Sequence, residues 1–407
     1  MTAENRTPAF LGCGHERQRT GMKRLLIISS EHTGHGHKSI AQALVDQFET
    51  YGGEFHVKVV NGFELNGPLG TFIERRYKFT VTYLRPVWNI LYYLFGKFAH
   101  TQNKLTAFTM KKRFMELLQS YRPDAIISVH PGYTGSVVRV MEKYGVKLPL
   151  YIILADLVDL ARLWAEPKAE VTICPTEESA HAMRKMGVPE EKLWLSGFPV
   201  RRAFATPIKS EEELRRVTLN KRELSILIIN NSEKIKRIAY ITDTMLQRYP
   251  CSVTVICARD ELMYKFLKAR YKGREERVTV LGYTTNMQDY LLSHDIAVTR
   301  CGPNTMLEAV NCLTPIVSMG ALPGQERDNP LYMEKHNLGL QTADTDDIFK
   351  KIDELLKDNR KKLLEIRLSQ FRYYGRNASE KIAAYLAERI RNQPPVPSKE
   401  KQACEVN

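Results

Sequence analysis

The sequence has no run of about 18 apolar residues, the length that would span a bilayer as a helix. The best candidate, Val87 to Phe95, is short and broken by Asn89, so no transmembrane helix is expected. The N-terminus has no apolar signal-peptide region. The seven cysteines, Cys13, Cys174, Cys251, Cys257, Cys301, Cys312 and Cys404, include no Cys-x-x-Cys pair and no Cys/His spacing suited to zinc. Their odd number also argues against a disulfide framework, so a reducing compartment is expected. Acidic residues are scarce relative to basic ones: 46 Asp+Glu against 60 Lys+Arg leave a net charge of +14. That excess favours an anionic partner, whether nucleic acid, an acidic membrane surface or a phosphorylated ligand.

What remains is an ordinary globular composition, 43% hydrophobic and 26% charged over 407 residues, long enough for two cores. Residues 1–21 are polar and without periodicity and are expected to be a disordered extension. The run Leu25-Leu26-Ile27-Ile28 then reads as a buried parallel strand, and Ile40, Ala41, Leu44, Val45 and Phe48 recur at helical spacing. Further strand candidates are Val57–Val60, Ala125–Val129, Tyr151–Leu154, Val171–Cys174 and Leu193–Leu195, giving an α/β domain over 22–200. Residues 201–222 carry Pro207 and the charged run Lys209 to Arg216 without a strand pattern and are read as the linker. A second alternation, with strands at Ile226–Ile229, Val253–Cys257, Val278–Leu281, Ile296–Thr299 and Pro315–Ser318, gives a second Rossmann-like domain over 223–392. Residues 393–407, with three prolines and many polar groups, are expected to be a disordered tail.

Residues 63–115 differ in composition, holding 12 of the 37 aromatics and nine Lys/Arg against Glu64 and Glu74, so they supply +7 of the charge. One reading is a helical insertion with its aromatics in the core and a solvated basic face. The other is a membrane-surface element, with Arg75, Arg76, Lys78, Arg85 and Lys97 among Phe72, Tyr77, Phe79, Tyr83, Trp88 and neighbouring aromatics. Base stacking on the same rings ranks lower, because nothing else resembles a nucleic-acid module; no nucleic-acid partner is expected.

Three loops follow strands, where ligands bind in open α/β sheets. The first reads Glu31-His32-Thr33-Gly34-His35-Gly36-His37-Lys38-Ser39 and opens a helix, offering free N–H groups, a positive dipole end and imidazoles placed for proton transfer. It fails as a dinucleotide fingerprint, with Ser39 at the third glycine position, and as a Walker loop, with Glu31 at the leading glycine. A tight turn with incidental histidines is the alternative. The second loop, Arg300-Cys301-Gly302-Pro303-Asn304-Thr305, precedes Glu308 and suits a diphosphate, with the carboxylate accepting from two ribose hydroxyls. Helix capping by Asn304 would explain it equally well. The third, Pro323 to Asn329, is dense in amides and carboxylates fit for sugar hydroxyls, or is a polar surface turn.

Taken in order, Gly34-x-Gly36-His37, Ser128-Val129-His130-Pro131, Ala155-Asp156 followed by Trp164, Gly197-Phe198-Pro199-Val200-Arg201, Gly282-Tyr283, Gly302-Pro303-x-Thr305-x-x-Glu308-Ala309 and Gly324-Gln325-Glu326-x-x-Asn329 form a specific series. Over residues 22–375 it resembles the processive diacylglycerol glucosyltransferases and monogalactosyldiacylglycerol synthases of glycosyltransferase family 28, relatives of the peptidoglycan lipid-intermediate N-acetylglucosaminyltransferase. The resemblance implies two Rossmann-like domains facing across a cleft, the GT-B fold. It implies an inverting transferase that moves glucose or galactose from a UDP-sugar to diacylglycerol, with no cofactor and no catalytic metal. By the same resemblance His37 is the catalytic residue at the acceptor hydroxyl, with Gly34, Gly36, His130, Asp156 and Trp164 on the acceptor side. Glu308 takes the ribose, Gly302, Pro303, Asn304 and Thr305 the diphosphate, Gln325, Glu326 and Asn329 the sugar, and Gly282 and Tyr283 the uracil. Arg75, Arg76, Lys78, Arg85 and Trp88 are the expected membrane contacts, at the cytoplasmic face. Two departures stand out: Asn230-Asn231-Ser232-Glu233-Lys234 where relatives commonly have glycines, and Asn304 where glycine is frequent. A UDP-sugar epimerase on the same fold, and a non-catalytic regulator that binds lipid or nucleotide sugar, are the competing readings.

Overall fold

The computed structural model describes residues 21–31, 36–83, 98–221, 223–230, 233–322 and 326–392, with the backbone alone for 77–83. The two expected disordered ends, but for Gly21, lie outside these residues. The first domain contains β1 (Lys23–Ser29), α1 (Gly36–Glu49), β2 (Phe55–Asn61), α2 (Gly62–Leu65), α3 (Gly67–Tyr83), α4 (Ala99–Tyr121), β3 (Ala125–Ser128), α5 (Gly135–Lys143), β4 (Leu150–Ile153), β5 (Val171–Cys174), α6 (Glu177–Lys185) and β6 (Leu193–Leu195). Its strands form a parallel sheet in the order β2-β1-β3-β4-β5-β6. Helices cover both faces of such a sheet, which is why its inner strands read as continuous apolar runs. Leu25 to Ile28 are fully buried.

After α7 (Glu211–Asn220), the second domain repeats the pattern with β7 (Leu224–Ile229), α8 (Ile235–Arg248), β8 (Cys251–Ile256), α9 (Glu261–Arg270), β9 (Val278–Leu281), α10 (Met287–Ser293), β10 (Ile296–Thr299), α11 (Pro303–Cys312), β11 (Ile316–Ser318), α12 (Asn329–Lys335) and β12 (Gly339–Leu340). Two long helical segments follow, α13 (Asp347–Arg372) and α14 (Ala378–Arg391). The strand order is β12-β11-β10-β7-β8-β9, again all parallel. Chain order reverses between β10 and β7, which opens a crevice at their C-terminal ends.

Two segment assignments differ from the sequence reading. Residues 201–222 are more than a linker, because α7 packs through Leu214 on Leu313, Leu364 and Leu368 of the second domain. The end of the span 223–392 also leaves the second domain. Ile382, Ala383, Leu386 and Ile390 of α14 join the core of the first, Tyr385 stacks on Trp194 at 4.1 Å, and Arg391 pairs with Glu54 at 2.6 Å. The apolar stripe of α14 was visible in the sequence, but a stripe does not name the surface that receives it. The chain crosses between domains at Gly197 and returns past Gly375. A Cβ on Gly197, whose φ is +93°, would lie 2.4 Å from the Gly375 Cα, so both the turn and the close approach require glycine.

Candidate functional site

The C-terminal ends of β1, β3 and β4 gather the first group of site residues. His37 lies in the first turn of α1, and its Nδ1 donates to the Val129 carbonyl at 2.6 Å. That bond assigns the Nδ1–H tautomer and leaves Nε2 with a lone pair. The His130 ring packs on His37 with centroids 4.6 Å apart, and its own Nδ1 accepts from Gly132 N at 3.1 Å. Burial lowers the His37 pKa to about 4, partly opposed by the Val129 bond, and burial together with the His37 charge lowers His130 well below its usual value. Both rings are therefore neutral at neutral pH.

Trp164 corrects an expectation: it is fully buried and offers no surface to an acceptor. Its Nε1 donates to Asp156 Oδ2 at 2.8 Å, and its ring centroid lies 6.3 Å from that of His37, so it is a floor beneath both groups. Asp156 has its pKa raised to about 7, chiefly by burial, with the Glu326 and Asp159 charges adding to it against the Trp164 hydrogen bond. Gly34 and the remaining loop residues 32, 33 and 35 lie outside the described residues.

The second group lies on the facing domain at the end of β10. The N-cap of α11 is Gly302, with Pro303 opening the helix and no side-chain cap bond, so Asn304 does not cap it. The Asn304 side chain instead faces α1, where a Cβ added to Gly36 would fall 2.6 Å from its Nδ2. One turn on, Ser39 Oγ donates to Glu308 Oε1 at 3.2 Å. The Glu308 pKa is raised to about 7 by burial, with the Arg201 charge and the Ser39 bond opposing. Arg201, quoted in the sequence pattern without a role, has a buried Nε with no hydrogen-bond partner among the described residues. A buried orphan donor beside a carboxylate was not readable from its motif.

Glu326 and Asn329 are buried, which removes the polar-surface-turn alternative for these two residues. Glu326 Oε2 is held by Arg300 Nε at 3.1 Å and Leu322 N at 3.1 Å, while its Oε1 faces Gly302. Asn329 Nδ2 donates to the Cys301 carbonyl at 3.1 Å, and its buried Oδ1 has no partner among the described residues. Gln325 lies outside the described residues. Tyr283 is exposed at the end of β9, with Arg259 over its ring at 4.9 Å, and the space around Gly282 is open. In the unusual loop, Asn230 is buried, donates to Cys257 O at 3.4 Å and accepts from Glu233 N at 2.9 Å; Asn231 and Ser232 are outside the described residues.

The insertion forms α2 to α4. Leu69, Phe72, Ile73 and Arg76 make one exposed stripe along α3, and Phe98, Leu105 and Phe108 lie exposed at and along α4. Phe108 is 66% exposed, with Lys111 over its ring at 4.2 Å. Glu74 turns inward, accepting from Glu31 N at 2.8 Å and Asn61 Nδ2 at 2.9 Å, while Arg75 and Arg76 are exposed. The core-packing reading therefore accounts for Met110, Phe114 and Leu118 but not for these rings. Arg85 and Trp88 lie outside the described residues, as does the side chain of Lys78. Among the described residues no helix is long and apolar enough to cross a membrane.

Residues 37–200 match the family described as monogalactosyldiacylglycerol (MGDG) synthase, and residues 225–358 match glycosyl transferases group 1. The chain is 24% identical over 368 residues to a processive diacylglycerol β-glucosyltransferase of Bacillus cereus, covering 89% of this chain and 93% of that protein. It is 27% identical over 363 residues to monogalactosyldiacylglycerol synthase 3, chloroplastic, of Arabidopsis thaliana, covering 84% and 76%. In fold it resembles Acinetobacter baumannii MurG, with a TM-score of 0.61 at 13% identity over 90% of this chain and 99% of that one. It also resembles S. aureus MnaA in its co-structure with UDP, with a TM-score of 0.59 at 11% identity over 93% and 99%. Two parallel six-stranded sheets in the GT-B arrangement, with both halves matched, support assignment of the chain to the glycosyltransferase family of the processive diacylglycerol glucosyltransferases and monogalactosyldiacylglycerol synthases.

Proposed function

We propose that the chain transfers glucose or galactose from a UDP-sugar to the free hydroxyl of diacylglycerol at an anionic membrane surface, on the cytoplasmic face. The observation that carries this reading is the meeting of two helix ends across the cleft. The turn bearing His37 touches the α11 end that bears Asn304 and Glu308. In the proposed reaction His37 Nε2 takes the proton of the acceptor hydroxyl as its oxygen bonds to the anomeric carbon. The bond from that carbon to the β-phosphate oxygen breaks on the opposite side, which inverts the centre. Charge growing on the UDP leaving group is met by the open first-turn N–H groups of Asn304 and Thr305 and by Arg201. Glu308 accepts from the ribose, Glu326, Gln325 and Asn329 from and to the sugar, and Tyr283 flanks the base. Asp156, across the Trp164 indole, favours the imidazolium that forms at His37.

The mixed apolar and basic surface of α3 and α4 supports lipid-surface docking, since interfacial elements combine buried rings with Lys/Arg attraction to anionic headgroups. The purified protein incubated with diacylglycerol micelles and a panel of UDP-sugars is expected to yield glycolipid. No glycolipid from any donor would overturn the reading. Conversion of a UDP-sugar in lipid-free buffer would favour the epimerase, and tight UDP binding without turnover a regulator.

A further inference from the structure

Two contacts join α1 to α11, and they share one geometry. Gly36 and Ser39 lie three residues apart on one face of α1, and Asn304 and Glu308 lie four apart on one face of α11, so successive turns meet in register. Neither helix has an acidic residue in its first turn. Two helix N-termini carry like partial charge and repel as they approach, unless negative charge lies between them. Glu308 is the carboxylate at this junction. Its Oε1 is taken by Ser39, while among the described residues its Oε2 accepts no hydrogen bond. Ser39 in turn is two residues from His37, within the same first turn, where helical hydrogen bonding makes any shift common to both.

We infer that Ser39 is a positioning residue that transmits donor occupancy of Glu308 to His37 through the first turn of α1. The inference rests on the donor reading of Glu308 given above. A ribose hydroxyl that donates to the free oxygen of Glu308 fixes the carboxylate, and the fixed carboxylate holds Ser39 and with it the base. The diphosphate adds negative charge at both helix ends and removes their repulsion. Donor binding thereby sets the base in place before the acceptor hydroxyl arrives, and an empty donor site leaves the turn free to open.

Hydrogen exchange of the α1 amides with and without UDP tests this, alongside UDP calorimetry. In the wild type, UDP is expected to slow exchange in residues 37–42. In Ser39→Ala, a substitution that favours the helix, UDP affinity stays within about 3-fold, because one neutral hydrogen bond away from the ligand is removed, while the protection is lost. Ser39→Thr keeps the hydroxyl and restores it. Unchanged protection in Ser39→Ala would overturn the inference alone. A fall of about 10-fold or more in its UDP affinity would also overturn it, since Ser39 would then act as an ordinary donor-site ligand. Absence of UDP binding by the wild type would overturn the donor reading itself, an outcome the calorimetry separates from the others.

Discussion

In the proposed reaction the half-buried imidazole of His37 is the base. Donation from Nδ1 to Val129 fixes the tautomer, and burial with a pKa near 4 keeps the ring neutral over the physiological range. Replacing it by Ala is expected to lower kcat by roughly 10²-fold, the usual contribution of general acid–base catalysis. UDP affinity measured by calorimetry should stay nearly unchanged, and full turnover in the variant would remove His37 from the mechanism. Glu308 titrates on the other side of its ordinary value. Its pKa in the fold is raised from 4.5 to about 7, so the folded protein binds more protons than the unfolded one between those values. Its contribution to stability is therefore present at low pH and lost as pH rises toward about 7. In the proposed donor site ionised Glu308 accepts from the ribose hydroxyls and the protonated form would do so poorly, so affinity for UDP-glucose should rise with pH through about 7, by up to roughly 10-fold per unit below it. Calorimetry across that range should show the rise in the wild type and a flat profile in Glu308→Gln; a flat wild-type profile would remove Glu308 from the donor site.

At the scale of elements, α3 and α4 present a surface in which rings and cations are interleaved. Arg76 lies over Phe72 at 5.5 Å, and Leu105 is 64% exposed beside the Phe108 and Lys111 pair. The two components separate by salt. Basic residues near an anionic surface contribute about 1 kcal/mol each and are screened beyond about 10 Å at 0.1 M salt, whereas ring burial is not screened. Arg75→Ser with Arg76→Ser should weaken binding to anionic vesicles by about 30-fold at low salt and little at high salt. Phe72→Ser with Phe108→Ser should weaken it at every salt concentration. Sedimentation that finds both variants equal to wild type on anionic and neutral vesicles would make this face ordinary solvated surface.

The molecule as a whole is held closed by contacts that bridge distant parts of the chain. Asp159 of the first domain accepts from Asp328 N at 3.1 Å and pairs with Arg327 at 3.3 Å, and Tyr374 OH donates to the Pro175 carbonyl at 2.8 Å. The main core cluster is continuous across the cleft floor, with Cys301, Met306 and Leu307 joined to residues of the first sheet. The last helix, α14, returns to α1 and adds fully buried Ile382, Leu386 and Ile390 to that core. Leu386→Ala is expected to destabilise by about 2–5 kcal/mol, the range for a buried leucine that leaves a cavity. Because α14 ties the two domains together, both should shift in one calorimetric transition; movement of only a separate second-domain transition would show that the helix is not the tie.

Strand positions were legible because a parallel sheet covered on both faces needs unbroken apolar runs, and Leu25–Ile28, Val171–Cys174 and Ile296–Thr299 supply them. β12, two residues beginning with Gly339, has too little pattern to be read. His37, Gly302 and Glu308 were legible as candidate site residues because loops after strands point to one edge, and the chemistry of imidazole, glycine and carboxylate is local to each residue. Other features had no local signal. That Asn304 faces Gly36 instead of capping its helix, that Trp164 is floor, that Arg201 is an orphan donor and that α14 belongs to the first domain all depend on which surfaces meet. Ser39 and Glu308 are 269 residues apart in the chain and 3.2 Å apart in space. Periodicity and side-chain chemistry act over a few residues and so determined the elements and the candidate groups; the close packing of two domains against each other decided which of those groups face one another.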